Sequence, residues 1–461
     1  RFGFGPAGDK IAAIAADPVG ALLADLDRSG AGRIDANLPT SAASARAVFE
    51  FQAERRAQQK LASRLQKTVE PEGGAEALTQ FANLTLLQAG STPHPQPLPA
   101  RLLQNEAKAR FDAATGADIG FAERLVWFWS NHFCISADKI IAMAGPYERE
   151  AIRPHVLRRF VDMLQAVESH PAMLFYLDNV QSMGPNSIIG IDRNKGLNEN
   201  LARETLELHT VGVRGGYTQT DVVNFAKVLT GWTWLPPSEP IHGGEFVFNH
   251  LLHEPVDQVV LGKTYADTGI GQGRAVLADL ARHPATSRHI AQKLAAHFIA
   301  DEPPPSLVAK VEKTFNDSNG DLKAIAKTLV TADESWTPQR TKLKTPAQWI
   351  VATLRITDGG AQIPIGMLLG AQAQLGAALW RPPAPNGYSD REAAWIDGVP
   401  HRLNLANQFA NRLAAGIDPL ALLDSALGPL ASAKTRNTVA HAESRAQALT
   451  LLIMSPEFLR S

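Results

Sequence analysis

One cysteine, Cys134, stands in a chain of 461 residues. An intrachain disulfide and a cysteine-rich zinc cluster are both excluded. Charge of one sign is missing too: 45 basic residues face 46 acidic ones, for a formal net charge of −1. Without a basic surplus there is no counterion-release drive toward nucleic acid and no pull toward an anionic membrane surface. No run of about 18 apolar residues occurs, so no transmembrane segment is expected. G-x-S-x-G, the P-loop and H-E-x-x-H are absent, which leaves α/β-hydrolase, nucleotide and zincin chemistry without support.

The chain does have an apolar share of 45%, ample for a large core, and helical period dominates its pattern. Helices are expected over 9–27, 41–68, 74–89, 101–114, 119–134, 148–168, 198–211, 218–230, 272–282, 286–299, 305–316, 320–332, 345–357, 364–376, 402–415, 417–426 and 440–453. Cap residues and first-turn prolines mark several starts, among them Thr218, Asp321, and Thr345 with Pro346. Strand signals are few: EFVFNH (245–250), with QVVLGKTY (258–265) as its partner, reads as one small hairpin. Pro-rich loops lie at 91–100, 234–244 and 381–395, none long enough to demand a boundary. The expectation is an all-α fold: a single large multi-helical domain over 1–461, with a loop and β-hairpin insertion at 234–266. The helix endings TLVTADESW and TLLIMSPEF are similar, but no solenoid period accompanies them.

The densest motif is GLNENLARETLELHTVGVRGGYTQTDVVNFAKVLTGWTW, residues 196–234. On an ideal helix Asn200, Arg203, Glu204 and Glu207 fall within about a 100° arc, and His209 projects from the apolar side. Two carboxylates at i, i+3 can share a proton or a cation. The same residues also make i, i+4 pairs, Asn200 with Glu204 and Arg203 with Glu207, of the kind that decorate a solvated face. A di-metal carboxylate site requires Glu-x-x-His, whereas His209 follows Glu207 by two. His209 reads as a core histidine bonded to a backbone carbonyl.

ERLVWFWSNHF (123–133) is apolar almost all round, so it reads as a buried helix with Asn131 and His132 near its end in need of hydrogen-bond partners. His289, Lys293 and His297 form an i, i+4, i+8 stripe that reads as a packing helix with a Lys–His pair rather than a zinc site. DLDRSGAGRID (25–35) and NDSNGD (316–321) imitate calcium loops but lack the rest of an EF-hand, so both read as turns or caps. LDNVQSMGPNS (177–187) puts Asp178, Asn179 and Ser182 where they could line a cleft beside Asn198 and Asn200. Trp232 and Trp234 in GWTW could stack on a sugar or peptide, or simply pack onto the helical body.

These motifs together resemble the bacterial family known as domain of unknown function 1800, whose pattern runs N-E-N-x-A-R-E-L-x-E-L-H-T-x-G-V-x-G-G-Y-T-x-x-D-V to T-G-W. RFGFGP (1–6), W-x-N-H-F at 129–133, H-P-A-T from His283, KTPAQWIVATLR (344–355), WRPPAPNGY (380–388) and SPEF extend the resemblance nearly end to end. His289 departs toward polar from a usually apolar position. Where relatives carry H-D-x-G-x-K, this chain has His253, Glu254, Pro255 and Asp257. The resemblance implies export, hence a periplasmic or extracellular location and a leader ahead of Arg1, and it suggests a partner of the domain of unknown function 1501 type.

Two functions of different class compete. One is a cell-envelope hydrolase acting on a polymer or glycan, with Glu204 or Glu207 as general acid or base, His132 as the second proton-transfer group and Arg203 orienting them. Asn131, Asn198, Asn200, Asp178, Trp232 and Trp234 would then contact substrate. The other is a non-catalytic envelope protein whose polar helix is a structural network or a docking face. Metal binding is a third reading, with no ligand residue or cofactor assigned.

Overall fold

The computed structural model describes residues 1–5, 7, 14–68, 96–193, 196–337 and 341–461. Its helices of eight residues or more, with the short helix that opens the 196–234 motif, are numbered in chain order. They are α1 (Pro18–Asp27), α2 (Ser41–Thr68), α3 (Leu98–Gly116), α4 (Phe121–His132), α5 (Phe160–Glu168), α6 (Asn200–Glu204), α7 (Gln219–Val228), α8 (Ile270–Leu280) and α9 (Pro284–Phe298). There follow α10 (Pro305–Asp317), α11 (Leu322–Thr331), α12 (Pro346–Ile356), α13 (Ile365–Gln374), α14 (Val399–Leu413), α15 (Pro419–Ala426), α16 (Ala433–Ala440) and α17 (Arg445–Ile453). The fold is all-α, with two small antiparallel sheets among the described residues. The helix expected over 74–89 lies outside the described residues, as do parts of those expected at 9–27 and in the 91–100 loop.

The core is built around α4. Every residue of it from Phe121 to Ser130 is buried, and so is His132. Burial on all sides follows from its sequence, which has no polar stripe to give to water. Its start is fixed from a distance: the Asp25 carboxylate accepts from the backbone N–H groups of Phe121 and Ala122, at 2.9 and 3.0 Å. A carboxylate at a helix N-terminus satisfies orphan donors and meets the positive end of the dipole. The calcium-like segment at 25–35 is therefore a cap. Gly120 precedes the helix at φ 84°, and a Cβ there would lie 2.8 Å from the Phe4 ring. One apolar cluster extends from Phe2 through α4 to Phe458.

The second calcium look-alike is also a cap. Asn319 and Gly320 turn at positive φ, and the Asp321 carboxylate accepts from Lys323 and Ala324 to start α11. That turn splits a helix expected to run unbroken over 148–168. Pro154 has no N–H to continue the ladder, and the chain between Arg158 and Phe160 bonds across to Gly320 and Leu322. A π segment, Glu148–Ile152, and α5 result. The helix expected over 440–453 starts later, at Arg445 of α17 with Ser444 as its cap, and α16, capped by Ser432, precedes it where no helix was expected.

The sheet pairing differs from the single hairpin expected. Phe246–Phe248 (β2) pairs with Trp232–Trp234 (β1), while Gln258–Val260 (β3) pairs with Lys263–Tyr265 (β4). The second segment folds on itself because Leu261 and Gly262 adopt φ 49° and 75°, the two left-handed residues of a tight two-residue turn.

Candidate functional site

The 196–234 motif is not one helix. After α6, residues Thr205–His209 widen into a π turn. The extra residue per turn rotates Glu207 and His209 away from their places on an ideal wheel. Asn198 caps the entry, its Oδ1 accepting from Asn200 N at 2.9 Å, and Asn200 itself is exposed. Arg203 bonds Glu199 at 2.7 Å and Gln219 at 3.1 Å rather than Glu207. Glu207 accepts from the Tyr217 hydroxyl at 3.1 Å. Glu204 is half-buried and makes no hydrogen bond or ion pair with a described residue. Burial, then the like charge of Glu207, pushes its carboxyl above the usual carboxylate range, against the pull of His209 and Arg203. Its charge also reaches the Cys134 thiol and the Tyr176 phenol.

The π turn leaves carbonyls facing inward, and two histidines meet them. His132 Nε2 donates to the His209 carbonyl and His289 Nε2 to the Leu208 carbonyl, each at 3.2 Å. Because a carbonyl only accepts, both Nε2 atoms carry the proton and both Nδ1 atoms are bare. His132 is 2% exposed and its Nδ1 has no partner. Burial and the nearby Lys293 ammonium hold His132 far below the usual imidazole range and push His289 down to about 4, so both rings are neutral at pH 7. His209 is buried, but the expected carbonyl bond is absent: its Nδ1 donates to the Glu168 carboxylate at 2.7 Å. Glu168 is 0% exposed.

Lys293, on α9 beside this group, is half-buried with no acceptor among the described residues. Burial lowers its pKa. The nearby Asp390 carboxylate is taken by His297 Nδ1 at 2.6 Å. A cavity of about 110 Å³ is lined by Trp127, Asn131, Cys134, Tyr388, Asp390 and Trp395 among others.

The remaining expected contacts are scattered. Asn131 is locked into the 381–395 loop, its Nδ2 donating to Tyr388 O and its Oδ1 accepting from Tyr388 N, both at 2.8 Å. Asp178 pairs with Lys139 at 2.8 Å. Trp232 is 1% exposed and packed over Gly273, so its ring offers no face to solvent. Trp234 is half-buried, edge-on to Phe175. Glu254, in the loop that departs from the family pattern, is buried and accepts from Asn186 N and Nδ2. Among the described residues no group of three or more His, Cys, Asp or Glu is arranged to hold a metal ion.

Sequence reasoning missed Glu168 and Asp390, the carboxylates that hold His209 and His297. Both stand in polar surroundings in the sequence, Glu168 in ESH and Asp390 in SDRE, which look like solvated turns. The signal for Glu168 was its helical neighbours Leu164 and Val167, both fully buried.

The family model described as protein of unknown function DUF1800 matches residues 1–460, and the chain belongs to that family. No curated protein and no solved structure matches it.

Proposed function

We propose that this member of the DUF1800 family is an enzyme of hydrolase type, acting on a polymer or glycan of the cell envelope by acid–base chemistry centred on Glu204. One observation carries the reading. Glu204 is a half-buried carboxyl with no partner among the described residues, and burial raises its pKa against the pull of the nearby His209 and Arg203. A carboxyl of raised pKa is the form a general acid needs near neutral pH. In this reading Glu204 gives the proton to the leaving group, and Glu207 raises its pKa by like charge. His132, whose buried Nδ1 has no partner, is the second proton-transfer group, and Arg203 braces the segment through Glu199 and Gln219. The periplasmic or extracellular location and a partner of the domain of unknown function 1501 type belong to the same proposal, supported by the family resemblance of the sequence.

The test is release of soluble fragments from purified peptidoglycan, chitin and α-glucan by wild type and Glu204→Gln. Loss of release with an unchanged fold supports the assignment, and retained release overturns it. A second reading, a docking protein, draws on Ile188 and Ile191, each 68% exposed one helical turn apart ahead of the motif. It gains if wild type releases nothing from any of the three polymers.

A further inference from the structure

We propose that the cavity walled by α4, α13 and the 381–395 loop binds a small neutral polyol, with its hydroxyls on Asp390, His297 and Gln372 and its carbon chain against Trp127, Trp380 and Trp395. All six of these residues line the cavity. The site is independent of the Glu204 chemistry, since none of Glu204, Glu207, His132 and Arg203 lines it. At roughly 30 Å³ per water, the space of about 110 Å³ takes about four waters, or a polyol of about four carbons.

The polar groups of the wall are short of partners. Gln372 on α13 is 1% exposed, yet its amide makes no hydrogen bond with a described residue and its Oε1 is buried. Buried amides are ordinarily bonded, and an orphan that borders a cavity is matched by whatever fills it. His297 Nδ1 donates to Asp390 Oδ1 at 2.6 Å, so Nε2 is the bare nitrogen, and it too has no partner. Burial holds His297 below the usual imidazole range, against the Asp390 charge, which keeps Nε2 unprotonated at pH 7. His297 takes only one of the Asp390 oxygens. No described residue donates to Oδ2, and the side chain is 21% exposed. Against burial, which raises it, His297 and Lys342 hold the Asp390 carboxyl below its usual range, so it is an anion and only accepts. Acceptors so gathered ask for a ligand rich in donors.

Charge and the apolar wall narrow the class. The indole N–H groups of Trp127, Trp380 and Trp395 are all spent within the protein, on Glu123, Glu148 and the Ser389 carbonyl. Their rings therefore offer carbon surface, which suits the C–H face of a hydroxylated chain. An organic cation is disfavoured because Arg110, which also lines the cavity, already lies over the Trp127 ring, 4.1 Å from its centroid. A carboxylate ligand would meet the Asp390 charge. A plain alkyl chain would leave Asp390 and Gln372 unmatched. Neutral hydroxyls, each donor and acceptor at once, satisfy both the carboxylate and the amide.

The experiment titrates the full chain with erythritol at pH 7 and reads saturation-transfer NMR on the ligand protons. Butylamine and butyrate serve as cationic and anionic probes of equal carbon number, and sorbitol as a polyol too long for the cavity. The expected result is a saturable erythritol signal at millimolar concentration, with the other three binding several-fold more weakly. Gln372→Leu removes the amide without breaking a bond to a described residue, so the variant should fold and bind erythritol several-fold more weakly. Erythritol transfer no stronger than that of sorbitol overturns the proposal, and so does a folded Gln372→Leu protein that binds erythritol as wild type does. Equal binding of butylamine or butyrate overturns the assignment to a neutral ligand. If Gln372→Leu fails to fold, the wild-type preference among the four probes decides alone.

Discussion

The two flanks of α4 handle buried charge in opposite ways. Along one side, Glu123 and Ser130 join a closed network. Arg153 forks onto Glu123 at 2.6 and 2.7 Å and also reaches Glu148. Glu148 further accepts from Arg110, Ser130 and the Trp380 indole. Each of these carboxylates is matched by guanidinium and neutral donors, and opposing charge holds Glu148 below its usual range despite complete burial. At its C-terminal end the groups are left unmatched: His132 Nδ1 has no partner, and neither the Glu204 carboxyl nor the Lys293 amine has one among the described residues. A buried charge that is fully paired specifies the fold. Titratable groups left unpaired and displaced from their usual pKa are what a reactive site requires.

That contrast is most sharply broken by Glu148→Gln. Removing the charge leaves Arg110 and Arg153 buried with too little to neutralise them, so stability should fall by about 3–5 kcal/mol. Chemical denaturation checks it, and a loss under about 1 kcal/mol would put the network on the same footing as an exposed pair.

Next in size is Asn131→Ala. It removes both bonds to the Tyr388 backbone and should cost about 1–3 kcal/mol, with faster amide exchange confined to the 381–395 loop. Exchange unchanged in that loop would show that Asn131 does not hold it.

On the unpaired flank the expected effects are smaller and reversed in sign. In the fold the charged form of Lys293 is disfavoured, so its pKa lies below the unfolded value. The wild type is thus penalised below the folded pKa, and it recovers as pH rises from there to the unfolded value. Lys293→Met should melt higher than wild type at pH 7, with the gap closing toward pH 10. A gap constant with pH would mean that charge has no part in it.

Smallest is Glu204→Gln. A carboxyl raised in the fold binds its proton more tightly there, so stability is fully present at pH below the unfolded value and is lost as pH rises through the folded one. The variant should match wild type in acid and melt higher at pH 7, by less than about 2 °C for a half-exposed group in a chain of this size.

Local signals carried much of this architecture in the sequence. The 3.6-residue period, the Asp321 and Thr345 caps and the unbroken apolar run of α4 each depend on neighbouring residues, and the helices stand where those signals put them. What was not legible depends on long-range partners. Nothing near Asp25 says that its carboxylate starts α4, 96 residues away. Nothing near QVVLGKTY says that its neighbour EFVF is already paired with TGWTW. For the site, His132 at the buried end of α4 and the polar run through Glu204 were visible as residue types. The π turn was not, because a one-residue widening leaves no period in a segment of five residues. It separates Glu207 from Arg203 and hands the two open carbonyls to His132 and His289.

The most direct test is the titration of one carboxyl. Carbon-13 carboxyl labelling of the glutamates, with Glu204→Gln identifying the signal, gives the protonation midpoint of Glu204 in the folded protein. The account predicts a midpoint above the ordinary glutamate value of about 4.3. A midpoint at or below that value would make Glu204 one more solvated carboxylate and would contradict the account.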